Sequence, residues 1–262
     1  MGRYLRLLGL FVRTELQFAL EYRFNLLLEI MQIVVVSGTS VAAVLILYAY
    51  TDVMNGWSLP QMVVLLGVFY TVQGIEELVF QPSFQRFMEH VRQGTLDFVL
   101  LKPVSSQFMV SFRHFQTVQV IQVAVGLVIT LYGVAQLATV LTLGSAAAFV
   151  LTLVCGFVLI YALLLVLSTL AFWFVRVDNI LALFWAFLDA GRFPIDIYPG
   201  WLRLTMSTVV PVGIAVTVPA KAIVGLIDLQ TLGLVLAATA AAWLFSRAFW
   251  KRGLRAYTGA SA

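Results

Sequence analysis

Glu76 and Glu77 stand side by side at the end of a stretch, 53–75, that holds no Asp, Glu, Lys or Arg. Ionisable groups in such a setting are costly in a bilayer and are usually functional. Placed at the inner end of a second span, they reach out to the cytoplasmic interface, or one of them forms an inner gate or pairs with Arg86 or Arg113. Glu29, at the start of the first span, has a similar choice. Gln73 precedes the pair, and Gln116, Gln119 and Gln122 recur at every third position of the next apolar run. Amides on one helix face hydrogen-bond neighbouring helices in lipid, or they line a hydrophilic path. Gln73, Glu76, Glu77, Gln119 and Gln122 are therefore the pathway or gate candidates. Asp189, Arg192 and Asp196 bracket a proline-bearing stretch. They are expected to pair with one another and hold an external segment; contact with a transported molecule is the other reading.

Bond-making chemistry has no comparable pattern. A phosphate-binding loop needs Gly-Lys followed by Ser or Thr, but Leu101, Ala220 and Trp250 precede the three lysines, Lys102, Lys221 and Lys251. His90 and His114 are too far apart for the HExxH zinc pattern. The nearest approaches to a GxSxG nucleophile turn, 38–42 and 56–60, both lack the final glycine. The single cysteine, Cys155, permits neither an intrachain disulfide nor a CxxC site. No catalytic residue, metal ligand or cofactor is expected on the chain.

The elements that must position these side chains are membrane helices. Of 262 residues, 62% are hydrophobic and 11% charged, against about 25% charged in a soluble domain. Mean hydropathy is +1.00. A soluble enzyme and a disordered chain are excluded, and the net charge of +4 reads as cytoplasmic loops rather than nucleic-acid binding. Residues 30–51 and 115–175 also carry no charged side chain, and about 20 apolar residues cross a hydrocarbon core. Spans are expected at 26–50, 61–80, two within 115–175, 177–191 and 229–249. Residues 1–25 read as an amphipathic helix in the interface, with Arg3, Arg6, Arg13, Gln17, Glu21 and Asn25 on one stripe. The charges there argue against a cleaved signal peptide. The segment 192–227 is expected outside, partly re-entering the membrane. A rival makes 177–203 an interfacial helix and 204–226 the fifth span.

Six crossings place 13 of the 16 basic residues in the cytoplasm, leaving Arg192, Arg203 and Lys221 outside. Trp57, Trp201 and Trp250 read as interfacial belt residues. The expectation is one all-α, polytopic membrane domain over 1–262, with six transmembrane helices, both termini cytoplasmic, and a partly re-entrant segment between the fifth and sixth.

The longest polar stretch contains Gln85–Pro103. It reads as a helix over 84–92, a stop at Gly94, a short second element and a break at Pro103. Leu96, Phe98, Val99, Leu100 and Leu101 among its charges suit docking into a groove on a soluble partner. The run Arg92-Gln93-Gly94-Thr95-Leu96-Asp97-Phe98-Val99-Leu100-Leu101-Lys102-Pro103 resembles the loop between the second and third spans of permease subunits of type-2 ABC (ATP-binding cassette) exporters. More narrowly, it resembles an incompletely characterised bacterial branch. Residues 192–201 (RFPIDIYPGW), with Pro211 and Val218-Pro219-Ala220 after them, resemble that branch's external segment.

The resemblance covers essentially the whole chain. It implies two permease subunits around one pathway, either a homodimer or a pair of paralogues. It implies a coupling helix in 82–105 on a separate ATPase dimer, through Glu89, Arg92, Gly94, Thr95, Leu96, Asp97, Lys102 and Pro103. Arg176 and Asp178 would make a second contact. ATP and Mg would sit on the partner, and the setting would be the lipids of a bacterial inner membrane. The cargo would be hydrophobic or amphipathic. Apart from the resemblance, a secondary transporter, a membrane-embedded enzyme and a non-transporting scaffold stay open. A secondary transporter usually carries internal repeats, and none is visible.

Overall fold

The computed structural model describes residues 2–137, 141–174 and 178–257. It is built almost wholly of helices, as an apolar chain that must satisfy its backbone internally requires. Helix α1 (Gly2–Glu21) buries no residue and is separated from α2 (Arg23–Tyr48) by Tyr22, at φ −99° and ψ 58°. A short hairpin follows, β1 (Val53–Met54) with β2 (Trp57–Ser58), turning on Asn55 and Gly56 at φ 48° and 87°. Asn-Gly is the pair that accepts this left-handed turn most readily.

Helix α3 (Leu59–Ile75) begins with Pro60 in its first turn, and the Ser58 N–H donates to Gln61 Oε1 at 2.9 Å. It does not end at Phe80. A π-helical turn, Glu76–Phe80, joins it to α4 (Gln81–Arg92), so that one helix of 34 residues runs from Leu59 to Arg92. The second span and the helix expected over 84–92 are thus a single element. Gly94, at φ 67°, turns the chain after it.

Then come α5 (Asp97–Leu100), α6 (Ser106–Phe112), α7 (Gln119–Ala135), α8 (Leu143–Thr169), α9 (Asp178–Ala190), α10 (Gly200–Thr208), α11 (Val212–Ile223) and α12 (Leu229–Ala256). Thr142 caps α8 through the Ser145 N–H at 3.1 Å, and Asp228 caps α12 through the Thr231 N–H at 3.2 Å.

Among the described residues four helices are long and apolar enough to cross a membrane: α2, the α3–α4 helix, α8 and α12. The count is five if α10 and α11, bent by 92°, form one broken span; the same bend also fits a re-entrant loop. Helices α7 and α9, with 17 and 13 residues, are shorter than the third and fifth spans expected from the sequence.

The tightest contact in the fold is α3 against α7. A Cβ on Gly74 would lie 2.9 Å from the Val123 nitrogen, and one on Gly133 would lie 2.8 Å from the Val64 nitrogen. A Cβ on Gly67 would collide with Thr130, and one on Gly126 with Thr71. Lipid supplies no hydrophobic drive between helices, so close backbone approach at small residues is what binds them. Helix α8 packs on α11 the same way, with Gly156 against Ala215.

Trp57 and Trp250 are buried inside the protein rather than set in an interfacial belt. The Trp250 ring packs on Phe87 and Phe172, with centroids 5.3 and 5.8 Å apart. Trp201 is exposed.

Candidate functional site

Tyr70, Gln73, Glu77 and Gln81 recur at helical spacing and form one stripe along the α3–α4 helix. They face Glu29 and Gln32 of α2 and the row Gln116, Gln119 and Gln122 at the start of α7. Together these groups line a cavity of about 400 Å³. A second cavity, of about 320 Å³, opens on the other side of Gln73 and Glu77 and reaches Trp185 and Asp189 of α9. The structure therefore brings Gln73, Glu77, Gln119 and Gln122 to one groove. Gln73 Nε2 donates to Glu77 Oε1 at 2.9 Å, and Asn25 Nδ2 to Glu29 Oε1 at 2.6 Å. The Gln116 N–H donates to the Leu78 carbonyl at 3.0 Å, which ties the entry of α7 to the π turn. Gln73 Oε1 and Gln119 Oε1 are buried and accept no hydrogen bond.

Glu76 does not reach outward as one sequence expectation had it: it lies at the middle of the 34-residue helix and is only 1% exposed, packed inside the protein. Nor does it pair with the two arginines considered: Arg86 Nη1 meets Glu89 Oε2 at 2.9 Å, and Arg113 Nη1 lies 3.8 Å from Glu15 Oε1. Trp185 is its polar neighbour, yet neither the indole Nε1 nor either Glu76 oxygen makes a hydrogen bond. Single π turns inside helices are frequent at functional sites, and Glu76 opens this one.

At the end of the bundle that holds the β hairpin, Arg192 Nη2 and Asp189 Oδ1 pair at 2.8 Å, as expected. Asp196 does not join them. Its Oδ2 takes Lys221 Nζ at 2.7 Å and Trp57 Nε1 at 3.3 Å, and its carbonyl accepts from Asn55 Nδ2 and Arg203 Nη2, each at 2.5 Å. No sequence pattern signals this hub, because its members are far apart along the chain. Asp196→Ala leaves a buried indole and a lysine without an acceptor. A loss of about 1–3 kcal/mol is expected, read as a lower unfolding temperature with faster amide exchange over 53–58. Unchanged exchange there would show that the hub is not holding the hairpin.

The opposite end of the same long helix carries the charged segment. Phe84, Phe87, Met88 and Leu96 are buried in the core, so Leu96 is not available to a partner as the sequence reading required. Phe98 and Leu101 are exposed, at 71% and 81%, and Arg92, Lys102 and Pro103 lie on the same surface-facing stretch. Gln93 Nε2 donates to Glu89 Oε1 at 3.0 Å, and His90 Nδ1 lies 2.8 Å from Thr95 Oγ1 across the Gly94 turn. Behind Phe98, a cleft of about 320 Å³ between α4, α5 and α6 is lined by Arg86, His90, Lys102, Arg113 and His114. Burial holds the His114 ring below the usual histidine range, and the Arg113 and Arg86 charges push the same way, against the pull of Glu15. Arg176 and the side chain of Asp178 lie outside the described residues. No cluster of three or more His, Cys, Asp or Glu side chains able to hold a metal occurs among the described residues.

Several apolar helices of membrane length, packed around a polar groove, define a multi-pass membrane protein. A family model described as "ABC-2 family transporter protein" matches residues 33–261, and the chain belongs to that family. It is accordingly the permease component of an ABC transporter, a family that associates with an ABC ATPase. Neither the curated proteins nor the solved structures compared with it give a match.

Proposed function

We propose that this chain forms half of a dimeric pathway that exports a hydrophobic or amphipathic molecule across the inner membrane of a bacterium, with both termini in the cytoplasm. ATP and Mg are held by a separate ATPase dimer, and the second permease is another copy or a paralogue. In this reading α7 and α9 also cross the membrane, giving six spans, and α10–α11 re-enters it.

The observation that carries the proposal is the 34-residue helix, which has Gln73 and Glu77 in the groove and Arg92 at its end. A continuous helix moves as a body, so a displacement of 92–103 on the ATPase reaches the groove directly. Nucleotide can shift the permease between two states only by the difference in docking energy between them. That difference must be made where the segment is exposed: at Phe98, Leu101, Lys102 and Pro103.

The test replaces Phe98 and Leu101 together by Ala. Anchors at the centre of an interface are worth about 2 kcal/mol or more, so co-purified ATPase should fall by about tenfold or more. ATP-driven transport should be lost, with folded permease yield unchanged because both side chains face outward. Full co-purification with normal transport would overturn the proposal.

A further inference from the structure

We infer that the groove between α2, α3 and α7 binds a protonated primary amine carried on an apolar tail. The inference deepens the permease reading, on which it rests for calling that molecule cargo.

The sign of the site comes from its charges. Glu29 and Glu77 line it, and no Lys, Arg or His does. Its unmet hydrogen bonds point the same way. Gln73 Oε1 and Gln119 Oε1, both buried, are acceptors without donors, and Gln119 is only 7% exposed. A buried acceptor left unpaired is unfavourable by about 1–3 kcal/mol, so a ligand that brings N–H or O–H groups is favoured at these two oxygens. The Tyr70 hydroxyl is not free to serve them, since it is already bonded to Ser40 Oγ at 2.7 Å.

An ammonium group offers three donors, no acceptor and a positive charge, which is what two carboxylates and two orphaned amide oxygens require. A sugar hydroxyl brings a lone pair with every donor and no charge. A quaternary ammonium brings the charge without a donor. The tail is provided for by Ile33 and Val36 of α2, which form the apolar edge of the groove. Beside them Val34 and Val35 are exposed on the same helix, an apolar face that suits acyl chains. The amine therefore enters sideways from the bilayer, head into the groove and chain along α2.

The experiment measures equilibrium binding to the permease in lipid nanodiscs, against empty nanodiscs, with and without its ATPase. The probes are dodecylamine, dodecyltrimethylammonium, dodecyl maltoside and dodecyl sulfate. Dodecylamine should bind at least about tenfold more tightly than the other three, the loss expected for one charge-assisted hydrogen bond. Glu77→Gln and Gln119→Leu should each weaken it by a similar factor. Equal binding of the maltoside or the sulfate would overturn the inference, as would dodecylamine binding that is unchanged in both variants. If dodecylamine binds as expected and no ATPase co-purifies, the site stands and the proposed ATP-driven export falls. If the ATPase couples normally and dodecylamine fails to bind, the site alone falls.

Discussion

Gly67→Val should leave little folded protein, whereas Gly38→Ala should fold like the native chain. Both glycines lie inside apolar helices, and composition does not separate them. A Cβ at Gly38 meets nothing within 4 Å. At Gly67 it runs into the Thr130 backbone nitrogen and hydroxyl and comes within 2.8 Å of the Gly126 carbonyl. Backbone cannot swing aside as a flexible side chain does, so the whole of α7 must move away from α3. That separation would open the matched contacts at Gly126, Gly74 and Gly133 as well. Overpacking a tight site usually destabilises by about 1–3 kcal/mol, occasionally more. The four linked contacts put Gly67→Val at or above the upper end. Yield of monodisperse protein and thermal unfolding in detergent measure it. A Gly67→Val protein that melts with the native one would mean that the α3–α7 contact is not what holds the bundle together.

Glu76→Met should raise stability and lower transport. Two buried carboxyl oxygens without partners are a standing penalty, and removing an unsatisfied buried polar group recovers about 1–3 kcal/mol. Methionine fills a similar volume and adapts its shape. An ionisable residue buried within a membrane-length helix is expected to act there, so ATP-driven transport should drop by more than about tenfold in a protein that is easier to purify. A combination of lower stability with normal transport would show that the carboxyl has a structural partner and no part in the pathway. Glu77→Gln, which keeps a group able to hydrogen-bond Gln73, should leave stability nearly unchanged.

Much of this was open to reading from the chain. Uncharged runs marked α2, α8 and α12, because length and apolarity are what a bilayer demands of a helix. The Gln119–Gln122 spacing and Gln73 pointed to one polar face, and the structure brings them together with Glu77. The depth of Glu76 was not legible. A π turn has no sequence signature, so the apolar pattern ends the helix near Phe80, whereas it runs on to Arg92. Leu96 illustrates the same limit. Placed among charges after a glycine, it looks like the exposed Phe98 and Leu101, and only the path of the turn at Gly94 decides which of the three faces the core. The Gly67–Thr130 and Gly126–Thr71 contacts belong to two helices at once, so neither is visible in one segment alone. Trp57 reads as a belt residue from the sequence because Asp196, the acceptor that lets its indole be buried, lies on a distant part of the chain.

The π turn also settles a conflict of phase. Phe84 follows Glu77 by seven residues, two turns of an ordinary α-helix, which would bring the two onto the same side. A bulky ring would then stand directly below the groove's carboxylate, and the aromatic cluster that Phe84 shares with Tyr161 would lose a member. One additional residue in a turn swings everything beyond it by about 100°. Glu76–Phe80 thus works as a phase adapter: Gln81, just past it, still reaches the polar groove, while Phe84, Phe87 and Met88 further on are turned into the aromatic core.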